Sequence, residues 1–99
     1  MLAGICRMDL LIAEGHSLKE KRSVIKSILQ RLQKRFSMSA AEVGQLDTLR
    51  RSEIGIAIVG NEAAYLEKKL SEAISFVERD GRVQVNRIEK EIVSLFDMD

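Results

Sequence analysis

Ser17, Lys19, Lys21 and Arg22 bring one hydroxyl and three cations into six consecutive residues, and the chemistry open to such a cluster is anion binding. Ser17 suits a helix N-cap, and Glu20 follows three residues later at the capping-box spacing. The free backbone N–H groups and the helix dipole would then add to the cations. Lys21 is the informative member. On a helical projection it falls inside the apolar arc, so its ammonium must emerge beside a sheet and meet a phosphate, or pair with Asp47 or Glu53. A capped helix with a structural Lys21–Glu53 pair is the plainer alternative.

A second candidate is nucleic-acid binding along the same stretch. Leu18 to Phe36 holds seven bases (Lys19, Lys21, Arg22, Lys26, Arg31, Lys34, Arg35) and one acid, a net +6, which leaves the rest of the chain at −5 within a total of +1. A nearly neutral protein is therefore strongly polarised. Lys19, Lys26, Arg31 and Lys34 form an exposed stripe, with Arg50 and Arg51 offered from a neighbouring loop, and phosphate contacts need only such a stripe. A solvated helix face is the bland alternative. Stacked-base readout is not expected, because Phe36, Tyr65, Phe76 and Phe96 all fall outside the first and third strands, where an RNA-recognition sheet would present them. A stripe of Tyr65, Lys69 and Phe76 on the second helix is expected to cover a sheet edge.

Catalysis has little to work with. His16 is the single histidine and lies in a turn, and no serine or cysteine has an evident base beside it. No catalytic residue is assigned, no metal site follows from so few ligands, and no cofactor motif is present. The one cysteine, Cys6, excludes an internal disulfide and reads as a small buried hydrophobe. Ile54 to Val59, the longest apolar run, is far short of the roughly 20 residues that span a bilayer, so no membrane segment and a cytoplasmic location are expected.

The elements that must position these residues follow from periodicity. At 99 residues the chain is expected to form one domain over 1–99, and the absence of proline argues against linkers. Residues 2 to 14 alternate as a strand, with Leu2, Cys6, Met8, Leu10 and Ile12 on one side. Gly15-His16 turns the chain into the first helix, whose apolar face is Leu18, Val24, Ile25, Ile28, Leu29, Leu32 and Phe36. Met38 to Gly44 and Leu49 to Gly60 read as two antiparallel strands around a Gly44–Asp47 loop, the second expected to be central because its Ile54 to Val59 run is β-branched and uncharged. Asn61 is placed to cap a second helix with Ala63, Leu66, Leu70, Ala73, Ile74 and Val77 inward. Asp80-Gly81 ends that helix, with the glycine in the left-handed position. Arg82 to Phe96 suits a strand with a bulge near Arg87-Ile88, although Val85, Ile88, Ile92 and Leu95 would also suit a helix. The order β-α-β-β-α-β predicts a ferredoxin-like sandwich of class α+β: an antiparallel sheet, two helices on one face, and the other face bare. With Ile5, Leu11, Ala57 and Val59 on that bare face, a homodimer is expected.

SLKEKR at Ser17 to Arg22, followed by VIKSILQRLQKRF, then SAAEV at Ser39 to Val43, then Asp47 and RRSEIGIA at Arg50 to Ala57, resembles the YlxP-like family of small uncharacterised bacterial proteins over about residues 3 to 93. The resemblance implies a ferredoxin-like fold with no assigned activity. It also implies genes that often lie beside those for a translation initiation factor and a ribosome-binding factor, hence an association with RNA or a ribosomal subunit. The chain departs from the family pattern with Leu49 in place of a common tryptophan and Gly44 in place of a common aspartate. Two further function classes stay open: a small-molecule-binding module and a dimeric adaptor.

Overall fold

The computed structural model describes residues 1–13 and 17–95. His16, the Gly15-His16 turn and Phe96 therefore lie outside the described residues. The elements run β1 (Leu2–Ile12), α1 (Leu18–Phe36), β2 (Ser39–Gly44), β3 (Arg51–Gly60), α2 (Ala63–Glu78) and β4 (Val83–Ser94). They build the expected ferredoxin-like sandwich: a four-stranded sheet in the order β2-β3-β1-β4, every neighbour antiparallel.

Alternation in β1 decides the two faces. Cys6, Met8, Leu10 and Ile12 are buried beneath the helices, joined by Ile54 and Ile56 of β3, Ile25, Ile28 and Leu32 of α1, and Leu70, Ala73 and Val77 of α2. Val83 to Ser94 is strand and not helix, because pairing with the full length of β1 satisfies an edge that a third helix would leave bare. The bulge falls at Asn86, one residue before the expected place: Asp9 pairs with Arg87 and Leu10 with Val85.

Both ends of α2 depart from expectation, whereas the start of α1 does not. Ser17 caps α1 as foreseen, its hydroxyl accepting from the Glu20 N–H at 3.1 Å, but the N-cap of α2 is Glu62 rather than Asn61. No glycine among the described residues has a positive φ; the left-handed positions are Ser37, which ends α1, and Gln45 in the β2–β3 loop. After α2 the chain is turned by a side chain and not by a left-handed glycine: the Asp80 carboxylate accepts from the Arg82 backbone N–H at 3.0 Å and from Arg82 Nε at 2.9 Å. A second bulge, at Val43, shifts β2 so that Glu42 pairs with Ile54 and Gly44 with Glu53. A Cβ on Gly44 would meet the Glu53 carboxylate, the far end of a flexible side chain that would have to swing aside.

Candidate anion-binding surface

Helix α1 carries the cations, and its seating on the sheet sorts them into three groups. Its buried line is Lys21, Ile25, Ile28 and Leu32, and Gln33 ties the helix to β2 by donating to the Ala40 carbonyl at 2.9 Å. Lys19, Lys26 and Lys34 therefore point outward and are exposed. Arg31 and Arg35 are turned toward α2. Lys21 and Arg22 are turned toward the β2–β3 hairpin.

Lys21 is fully buried and paired, but not with the partners expected. Its ammonium lies 3.2 Å from a Glu42 carboxylate oxygen and donates to the carbonyls of Gln45 and, at 3.3 Å, of Leu46. Glu42 also accepts from the Ser52 hydroxyl at 2.7 Å. Alternation is the reason: Glu42 shares the helix side of β2 with Ala40 and pairs with the buried Ile54, while Glu53, next to Ile54 in β3, faces the bare side of the sheet. Glu53 there meets Arg7 at 3.3 Å, and Arg7 also binds Glu89. Asp47, the other expected partner, stands 3.6 Å from Arg22 and is nearly fully exposed. The cluster at the start of α1 is thus largely structural: Lys21 and Arg22 fasten the hairpin to the helix. Arg50 and Arg51 lie at the hairpin's end, where the Arg50 carbonyl accepts from the Ile12 N–H at 2.9 Å. They are not brought next to Lys26 or Lys34.

The two helices overlap only along their C-terminal halves, where Phe36 meets Phe76 and Ser27 meets Arg82. Between them runs a groove of about 970 Å³ lined by six cations, Arg31, Arg35, Lys68, Lys69, Arg79 and Arg82, against two carboxylates, Glu72 and Asp80. The rings of Phe36 and Phe76 stand edge to face with centroids 5.7 Å apart. The Arg35 guanidinium lies 5.8 Å from one ring centre and 5.5 Å from the other. Phe76 thus packs toward α1 and not over a sheet edge, while Lys69 sits 5.9 Å from the Tyr65 ring on its own helix. The α2 cations were not foreseen as part of a site. Their signal in the sequence is Lys68-Lys69 and Arg79 spaced along one flank of an amphipathic helix, which joins the α1 arginines only once the helices are docked.

Electrostatics within the groove follow the contacts. The hydrogen bonds from Arg82 hold the Asp80 carboxyl below its usual range, with Arg31 adding to the effect, and Asp80 in turn raises Arg82. On the other face Arg7 lowers the Glu89 carboxyl. Burial pushes the Cys6 thiol up to about 11, which makes it an inert core group. Among the described residues no three His, Cys, Asp or Glu side chains converge as a metal site, and no helix is long and apolar enough to cross a membrane.

The bare side of the sheet is apolar at one end, where Ile5 is 42% and Val59 is 64% exposed. At the other end Arg7 with Glu53 and Glu89, and Arg87 with Glu89, form ion pairs.

Known proteins similar to this chain place it by family and fold. The Bacillus subtilis (strain 168) protein named "Uncharacterized protein YlxP" is 38% identical over 77 residues, which are 78% of this chain and 84% of that protein. A solved structure titled "Structural Genomics, protein YJCS" superposes with a TM-score of 0.56 at 14% identity, over 93% of this chain and 99% of the other. A dimeric ferredoxin-like protein from an uncultured marine organism gives a TM-score of 0.50 at 9% identity, over 98% and 100% of the two chains. These structural likenesses establish the fold alone. Because the family model described as "Protein of unknown function (DUF503)" matches residues 3–90, the chain belongs to that family.

Proposed function

We propose that the chain is a non-enzymatic RNA-binding protein that docks phosphates on the outer face of α1, with duplex RNA of a ribosomal subunit as the target. The observation that supports this is the state of Lys19, Lys26 and Lys34: all three are exposed, and none forms an ion pair with a described residue. At 1.5 Å rise per residue they stand about 10–12 Å apart along the helix. That is close to the Debye length of about 10 Å at 0.1 M salt, so at low salt they act as one positive field. Recognition would be by shape and charge, as suits an A-form duplex.

The test is the salt dependence of binding to ribosomal subunits and to a labelled RNA duplex. The logarithm of the binding constant should fall with the logarithm of salt by roughly 0.7–0.9 per phosphate contact. Replacing Lys19, Lys26 and Lys34 together by glutamine should flatten that slope by about 2 to 3 while leaving the fold intact. Absence of binding by the unaltered protein at 50 mM salt would overturn the proposal.

A second reading concerns assembly. The exposed Ile5 and Val59 with Ala57 between them give the bare sheet face an apolar half, and the solved dimeric ferredoxin-like relative shares this architecture. We propose a homodimer through this face, which leaves both helices of each copy open to RNA.

A further inference from the structure

We propose that the groove between α1 and α2 binds a single nucleotide unit, an aromatic base with its phosphate, at a site separate from the outer lysines of α1.

Charge comes first. Arg82 is neutralised by Asp80, with its terminal nitrogen 2.7 Å from one carboxylate oxygen, and is further held by the Ser27 hydroxyl at 3.3 Å. Lys69 stands 3.9 Å from Glu72. Arg31, Arg35, Lys68 and Arg79 then remain without an ion-paired carboxylate among the described residues. The C-termini of both helices open toward this region, and each contributes only about half a negative charge. Four cations outweigh them, so the groove keeps a positive potential that serving the helix ends does not consume.

Shape and chemistry then select the ligand. Phe36 and Phe76 are half-buried, and the exposed Arg35 brings its guanidinium carbon within 5.8 Å of both ring centres. A guanidinium plane over aromatic rings is a stacking platform for a nucleobase. Arg79 donates its Nε to the Ser75 carbonyl at 3.3 Å, which aligns the guanidinium and leaves its terminal N–H groups for a phosphate. Arg31 approaches the same space from α1. A ring with nothing charged attached would leave these cations unused, and a bare phosphate would leave the platform unused. The groove's 970 Å³ is at the upper end of the range for a ligand of nucleotide size. The unit can be supplied as a free nucleotide or as an unpaired residue of a single strand.

Calorimetric titration of the full chain with adenosine 5′-monophosphate, adenosine, ribose 5-phosphate and a single-stranded oligoadenylate tests this. The nucleotide should bind at least tenfold more tightly than either fragment. Arg35→Gln and Phe76→Leu should each weaken it about tenfold, whereas the triple glutamine variant of Lys19, Lys26 and Lys34 should not change it. Arg35 is exposed, so its variant keeps the fold even if Phe76→Leu loosens the core. An oligonucleotide that outdoes the mononucleotide by more than tenfold identifies a strand as the source, and equal affinities identify the free nucleotide. Ribose 5-phosphate binding as tightly as the nucleotide, or no binding at millimolar concentration, would overturn the site. Neither result bears on duplex binding by the outer lysines.

Discussion

The Lys21 ammonium and the Glu42 carboxylate meet 3.2 Å apart, with no part of the lysine side chain exposed to solvent, and this contact locks the first turn of α1 to the β2–β3 hairpin. A charge so placed is costly unless every donor is used, and here the carboxylate and two loop carbonyls take them. Removing one partner strands the other.

Glu42→Ala should therefore cost about 2–3 kcal/mol in urea unfolding, because the ammonium stays buried with only its carbonyl acceptors. Combining Lys21→Met with Glu42→Gln should cost much less than the two separate changes summed, since no buried charge is left. A Glu42→Ala variant within about 0.5 kcal/mol of the parent would show that the pair is not what fastens the hairpin.

The Asp80–Arg82 turn sets a pH dependence. Asp80 has its pKa lowered from 3.8 in the folded chain, chiefly by the Arg82 side chain, so the unfolded chain binds the proton more readily. The stabilisation is complete above the unfolded value and is lost as pH falls through the folded one, below about pH 4. At pH 7 Asp80→Asn should cost about 1 kcal/mol, a fall of roughly 4–8 °C in Tm for a domain of this size. The gap between variant and parent should narrow as pH falls below about 4, and a gap that stays constant as acid is added would refute the assignment.

Association through the bare sheet face predicts a sedimentation mass of twice 11.2 kDa at micromolar concentration. Ile5→Glu and Val59→Lys alter exposed side chains and should give monomers with unchanged helix content. A mass of one chain for the unaltered protein would exclude the interface.

The element order, the faces of β1 and the capping of α1 by Ser17 were all legible in the sequence, because each rests on periodicity or on contacts within a few residues. The buried state of Lys21 was legible in the same way, since position on a helical wheel is a local property. Its partner was not. Glu42 sits inward by the alternation of β2, but that it lies under the first turn of α1 depends on how the helix docks on the sheet, which no local pattern records, just as local pattern misplaced the bulge of β4 by one residue. The end of α2 was misjudged for a related reason: glycine at Gly81 suggested a left-handed stop, while the Asp80 carboxylate satisfies the turn through a side chain. The sequence by itself determined that one helix would be strongly cationic, a matter of composition and spacing. Only the tertiary structure decided which of its cations stay available. Docking on the sheet buried Lys21 against Glu42 and left Lys19, Lys26 and Lys34 outward. Staggering the helices set Arg31 and Arg35 across from Lys68 and Arg79, so that side chains far apart in sequence share one groove.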